Sequence, residues 1–369
     1  MSNKFFLILA TLFFSMPFQQ AHANIDELPL LPMATTNNAV TQVNSNGTHY
    51  LLSFMGLGKG KTFRDIHNKA WLLPLAPSTS WQALPDVPHV EKVSGRLASI
   101  AIGINQNAYI FGGYTVDKNH HEVSTNDNYR FDVTTRKYTR IADMPVAVDD
   151  TAAIQYQDRY IYLFSGWHQT SNVNLVQVYD THTNKWAQAT PLPIAATFGL
   201  AVGAVDNKLV LCDGVKIKIN EHKKREFVSS PMCLFGEIDP NNHLNIDWRS
   251  LPHYSTASPT TAPLKAHYRM AAAGVKQAGK LGQIYFIGGS DNPYNYNGIG
   301  YNGKPSQPSS NMFRFDLASH RWITPIKVNK ASMDHRGLLI YKQNLIRIGG
   351  MTEHQHVTNQ VIVDPLPKL

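Results

Sequence analysis

Three arginines recur in short phrases along the chain: Gly95-Arg96-Leu97, Tyr268-Arg269-Met270 and His335-Arg336-Gly337. A guanidinium presents five N–H donors in a planar fork. Three of them aimed at one place would hold a carboxylate or a polyhydroxyl ligand. Each could equally pair with a neighbouring aspartate or carbonyl and serve the fold. Asp149, Asp150, Asp334 and His335 stand at comparable points of the chain. Asp150, Asp291, His335 and Glu353 are the candidates for moving protons. Trp167, His168, Lys216, Asn292 and Tyr294 are the candidates, with the arginines, for holding a ligand, and Tyr114 occupies a similar position.

The longest irregular stretch runs from Ser290 to Ser310 and interleaves Tyr294, Tyr296 and Tyr301 with asparagines. A loop of that length is usually functional or disordered. Its residue types stack on sugar faces and bond hydroxyls, although a surface insertion would have the same composition. His120-His121 and His354-x-His356 lack a carboxylate or cysteine at a ligand spacing, so no metal site is expected. There is no phosphate-binding loop, dinucleotide fingerprint or nucleophile elbow, and no cofactor is expected.

The elements that must position these residues repeat. A β-rich run ending in two small residues appears as Ala108-Tyr-Ile-Phe-Gly-Gly113, Tyr160-Ile-Tyr-Leu-Phe-Ser-Gly166, Leu209-Val-Leu-Cys-Asp-Gly214, Ile284-Tyr-Phe-Ile-Gly-Gly289 and Leu345-Ile-Arg-Ile-Gly-Gly350. A degenerate first copy is Tyr50 to Gly58. Most copies are followed by a strand ending in Asp, a turn, then Trp or Tyr: Asp132 with Tyr138, Asp180 with Trp186, Asp239 with Trp248, Asp316 with Trp322. The small pair lets the chain bend where sheets crowd an axis. The turn closes a hairpin, and the aromatic packs between neighbouring units. Six such units predict an all-β, six-bladed β-propeller. The last unit lacks a fourth strand, and Leu28-Pro29-Leu30-Leu31-Pro32 resembles the end of one. The N-terminal strand is therefore expected to complete blade 6 and close the ring.

The chain has 369 residues, 43% hydrophobic and 16% charged, which suits one large ordered domain. Lys4, the apolar run Phe5–Phe14 and Ala21-His22-Ala23 read as a secretory signal peptide over residues 1–23, leaving residues 24–369 as a single propeller. The periplasm is the expected location, with no membrane insertion. The net charge is +8, but the basic residues are scattered apart from His222-Lys223-Lys224-Arg225, so nucleic acid is not an expected partner. A carbohydrate or other small acidic ligand suits the charge, and a protein partner stays open. Cys212 and Cys233 fall in one blade, where a disulfide is expected in an oxidising compartment and two buried thiols are the alternative.

The repeats resemble kelch repeats over nearly the whole mature chain. With the signal peptide, Met55-Gly-Leu-Gly58 and Ile348-Gly-Gly-Met-Thr352, the chain resembles the exported bacterial N-acetylneuraminate epimerases, the sialic acid mutarotases. The resemblance implies a cofactor-independent mutarotase or epimerase acting on an acidic sugar such as N-acetylneuraminate. Such proteins carry a glutamate after the blade 4 glycine and an arginine soon after; here Val215 takes the acidic position and no arginine precedes Arg225. The copper-radical galactose oxidases share the propeller, but their site needs a cysteine cross-linked to a tyrosine. A non-catalytic propeller that binds glycans or envelope proteins is the alternative reading.

Overall fold

The computed structural model describes residues 27–77, 79–89, 95–257, 264–276 and 279–367. The segment read as a signal peptide lies outside them. Among the described residues every sheet is antiparallel. Five of the six blade sheets have four strands, and the sixth, Leu339–Tyr341, Asn344–Ile348 and Val361–Pro365, has three. The innermost strands of blades 1 to 6 are Ala39–Ser45, Ile100–Ile104, Ala152–Tyr156, Ala201–Val205, Ala271–Val275 and Leu339–Tyr341. Two small hairpins stand outside the blade sheets, Tyr114–Val116 with Glu122–Ser124 and Val215–Ile219 with Arg225–Ser229. The architecture is the six-bladed propeller that the repeats predict.

The core is six seams between adjacent blades. Leu52, Phe54 and Phe131 fill the seam of blades 1 and 2, and Phe111, Leu163 and Tyr179 that of blades 2 and 3. Tyr162, Phe164, Leu209 and Leu234 fill the next, followed by Val210, Phe235, Phe286 and Phe315. Ile287, Met312 and Leu345 join blades 5 and 6, and Leu51, Leu73 and Ile346 close the circle. The repeated Trp or Tyr does what its type predicts. Each packs its half-buried ring against a seam and donates its polar atom to a carbonyl of the preceding unit: Tyr138 Oη to Pro85 O (3.1 Å), Trp186 Nε1 to Ala142 O (3.0 Å), Trp248 Nε1 to Thr190 O (3.3 Å) and Trp322 Nε1 to Pro252 O (2.7 Å).

The same rule explains how the ring closes. Trp81 of blade 1 donates to Pro29 O at 2.8 Å, so Leu28-Pro29 occupies the place that Leu84-Pro85 occupies for blade 2. Leu31 is buried in the closing seam, and its N–H donates to Asn359 O at 2.8 Å. Among the described residues the N-terminal segment adds no fourth ladder strand to blade 6. It supplies the stretch that would follow such a strand, and this suffices to seat Trp81.

Cys212 and Cys233 are disulfide-bonded. They face each other across two paired strands of blade 4 and bracket the inserted hairpin Val215–Ser229. Among the described residues no helix is long and apolar enough to cross a membrane.

Candidate functional site

Two features recur at the entry to each innermost strand. First, an isolated bridge ties the entering chain to the residue after the small pair: Thr36 to Leu57, Leu97 to Tyr114, Asp149 to Trp167, Phe198 to Val215, Tyr268 to Ser290 and Met333 to Met351. Second, the residue after each entering bridge partner is left-handed: Asn37, Ala98, Asp150, Gly199, Arg269 and Asp334, with φ between 51° and 70°. The backbones are stitched around the axis at this level. Ala98 N donates to Asn37 O, Asp150 N to Ala98 O, Gly199 N to Asp150 O, Arg269 N to Gly199 O and His335 N to Arg269 O. Gly199 is glycine for a second reason: a Cβ there would lie 1.8 Å from the Tyr268 ring.

Across this ring the side chains form a buried ion lattice. Arg269 donates from Nε (2.9 Å) and Nη2 (2.5 Å) to Asp150 Oδ2, and from Nη1 to Asp334 Oδ1 at 3.0 Å. Arg336 reaches Asp150 Oδ1 at 3.0 Å, Asp334 Oδ1 at 3.5 Å and Asn37 Oδ1 at 2.6 Å. Tyr268 Oη donates to Asp150 Oδ2 at 2.7 Å, and Thr36 Oγ1 and Asn37 Nδ2 donate to Asp334 Oδ2. Two carboxylates thus meet two guanidinium groups, and the formal charge cancels. Burial alone would raise the Asp150 carboxyl, but Arg269 and Arg336 and these hydrogen bonds hold it below the ordinary value. Burial alone would lower Arg269, but Asp150, Tyr268 and Asp334 raise it well above.

Above the lattice lies a cavity of about 250 Å³, lined by Tyr114, Glu122, Asp149, Asp150, Trp167, Phe198, Phe227, Arg269, Asn295 and Tyr301. Its rings touch one another. Trp167 lies 5.6 Å from Phe198 and 5.7 Å from Phe227, and Phe227 stacks on Tyr301 at 4.4 Å. Asp149 is the only carboxyl among the twelve bridging residues. It accepts from Ser124 Oγ at 2.7 Å. Desolvation, opposed by that bond, and the nearby Asp150 and Glu122 push its carboxyl well above the ordinary range. Glu122 stands on the same hairpin face as Tyr114 and Ser124. It is open to solvent at the rim, yet walled closely enough that desolvation and Asp150, against Arg269, raise its carboxyl too.

Below the lattice a second cavity of about 220 Å³ runs between the innermost strands. Asp150 and Arg269 line both cavities, so the lattice forms the floor between them.

The sequence-derived candidates divide accordingly. Asp150, Trp167 and Arg269 reach the upper cavity, and Arg336 and Tyr294 support its floor: the buried Tyr294 ring packs on Tyr268 at 5.1 Å and on the Arg269 guanidinium at 5.2 Å. Arg96 does not join them. It is fully buried in blade 2, donating to Asp127 O (2.9 Å) and Gly112 O (3.2 Å) and pairing with Asp127. Its phrase looks like those of Arg269 and Arg336, but it stands two residues before its ring position, Arg269 stands on it and Arg336 two after. Lys216 follows the bridge residue Val215 along a strand, and alternation turns it away; Asp291 follows the bridge residue Ser290 in a bend. Asp291 instead pairs with Lys265 at 2.7 Å on the surface. His168 also follows its bridge residue, and its Nδ1 lies 2.6 Å from Ala147 O. Asn292 bonds Lys304 O and Asn302, fastening its own loop. His335 lines the lower cavity, 2.7 Å from Ser332 Oγ, with its imidazole held well below the ordinary value by burial and by Arg347 and Arg336. Glu353 lies exposed in a short 3-10 turn. Val215 is completely buried among Phe198, Tyr268 and Tyr294, so the wall there is apolar. No group of described residues is arranged to hold a metal ion.

Sequence reasoning missed Glu122, Phe198 and Phe227 and did not choose Asp149. For Phe198 and Asp149 the signal is the six-fold bridge position. Glu122 and Phe227 sit on hairpins that interrupt the repeat, where no period places them.

No protein-family model matches the chain, and no curated protein matches it. Among solved structures, that of YjhT aligns with a TM-score of 0.66 over 91% of this chain and 99% of its own, at 17% identity. That likeness is one of fold.

Proposed function

We propose that this chain is an exported, cofactor-free sugar isomerase of the mutarotase kind, working in the upper cavity. The observation that carries the reading is Asp149, a buried carboxyl that lines the same aromatic cup as Glu122 and is held well above the ordinary range by desolvation. Aromatic rings stack on the apolar faces of sugar rings, and Trp167, Phe227 and Tyr301 supply them. Interconversion of anomers needs an acid at the ring oxygen and a base at the anomeric hydroxyl. Asp149 donates its proton to the ring oxygen as the bond from that oxygen to the anomeric carbon breaks. Glu122 takes the anomeric hydroxyl proton, and the carbonyl forms. Rotation about the adjacent carbon–carbon bond and reversal of both transfers closes the ring on the other face. Two carboxyls in different environments fit this division of labour. Asp150, held ionised by two guanidinium groups, fixes the floor.

The resemblance to sialic acid mutarotases supports the reaction class. The buried Val215 favours the alternative, a propeller that binds glycans without turning them over. Anomer-exchange NMR on freshly dissolved sugars separates the two. Exchange faster than the protein-free control, abolished by Asp149→Asn, supports the isomerase. Sugar resonances that broaden without faster exchange identify the binder.

A further inference from the structure

The expectation of an acidic ligand rests on free guanidinium groups. In the structure those groups have partners. All three donor nitrogens of Arg269 point at Asp150 or Asp334, and both Nη atoms of Arg336 are bonded. Arg269 is the one cation among the residues lining the upper cavity, and its charge is already met. The lysines of the blade 4 hairpin do not replace it. Lys216 and Lys218 alternate with Val215 and Ile217, so they occupy the face opposite Phe227, which pairs with Ile217. Arg225, at the far end on the Phe227 face, donates to Thr170 O at 2.8 Å.

What faces the cavity instead is three carboxyls and five rings. Aromatic faces carry negative potential and attract organic cations, all the more with carboxylates beside them. An anion brought here would meet Glu122 and Asp149 with no unpaired cation to receive it, and desolvating a charge without a partner is costly.

Building on the sugar reading, we infer that the upper cavity takes a cationic sugar, one bearing a free protonated amine such as a hexosamine, and excludes acidic sugars. The amine sits against Glu122 and Asp149, within reach of the faces of Trp167 and Phe227. Glu122, at the rim, receives the positive charge, and Asp149 stays the proton donor of the sugar reading.

The test is a saturation-transfer NMR titration of the mature protein at a pH where the amine is protonated. The probes are glucosamine, N-acetylglucosamine, glucose, glucuronate and N-acetylneuraminate. The expected result is glucosamine bound roughly tenfold more tightly than N-acetylglucosamine or glucose, with the two acids weakest. Glu122→Gln, at the exposed rim, should bring glucosamine within about twofold of glucose while leaving the thermal transition in place. Glucuronate or N-acetylneuraminate binding as tightly as glucosamine overturns the inference, as does a preference for glucosamine that survives Glu122→Gln and Asp149→Asn. If no sugar of any charge binds, the sugar reading fails, and tetramethylammonium tests the cation site alone. Saturation transfer to its methyl groups that disappears in Phe227→Ala supports a cation site, and no transfer overturns it.

Discussion

The two cavities on either side of the ion lattice have similar volumes and opposite characters. The lower one is walled by the innermost strands, with Val40, Ile100, Ala201, Leu338 and Ile340 among its lining residues. Six strands converging on an axis leave space for small and aliphatic side chains. Gly103, whose Cβ would lie 1.8 Å from Gln42 O, shows how tight the approach is. The upper cavity is walled by what the blades add to themselves: two hairpins, a long loop and the bridge residues. Glu122, Phe227 and Tyr301 come from insertions, and Asp149, Trp167 and Phe198 from bridge positions of the repeat. The scaffold therefore fixes where a site can be and supplies part of its wall, and departures from the repeat complete it.

The strongest way to break this division is to remove its floor. Arg269→Met leaves Asp150 and Asp334 buried beside a single guanidinium, and should cost about 3–5 kcal/mol in urea unfolding. A loss below about 1 kcal/mol would mean that the lattice does not hold the cavities apart. Next, Asp149→Asn should lower anomer exchange by about 10²–10⁴-fold. His335→Gln, confined to the lower cavity, should leave the rate within about twofold of the parent. Equal losses in both variants would erase the distinction.

Replacing Cys212 and Cys233 together by alanine opens a loop of 21 residues that contains the Phe227 hairpin. The chain-entropy model gives about 3 kcal/mol. Exchange protection should fall in Val215–Ser229 before it falls in the innermost strands.

The smallest effect is a pH dependence with opposite signs in neighbouring residues. The Asp149 carboxyl is raised in the folded state, so its contribution to stability is complete below the ordinary aspartate value and is lost as pH rises through the raised one. The Asp150 carboxyl is lowered, so its contribution is present above the ordinary value and is lost as pH falls through the lowered one. The stability of the parent relative to Asp149→Asn should decline on going from acid to neutral pH, by at most about 1.4 kcal/mol per pH unit. A flat difference would place the Asp149 proton elsewhere.

The blade count and the seam aromatics were legible because each recurs with the repeat and answers to a single packing demand; Leu28-Pro29 was legible as the closing piece, though it seats Trp81 rather than ending a fourth strand. The floor was legible in part. Asp150, Arg269 and Arg336 read as residues for one place, and they meet there, with each other rather than with a ligand. Arg96 did not follow, because a shared tripeptide pattern does not reveal a displacement of two residues in a chain where one residue reverses a side chain. Lys216 failed by one residue for the same reason, and Asp291 because it pairs with Lys265 at the surface. Glu122 and Phe227 answer to a cavity, and a cavity has no period.

The stitched ring of left-handed residues has a consequence for how such a protein can change. From blade 1 to blade 6 the links at that level are main-chain N–H and C=O groups, so asparagine, alanine, aspartate, glycine and arginine all occupy equivalent places. The join from blade 6 back to blade 1 is made by side chains, Arg336 donating to Asn37 Oδ1 and Asn37 Nδ2 to Asp334 Oδ2. A lineage can rewrite the main-chain-linked positions one blade at a time while that join stays in place, and those positions then behave as interchangeable sockets through which ligand preference can drift.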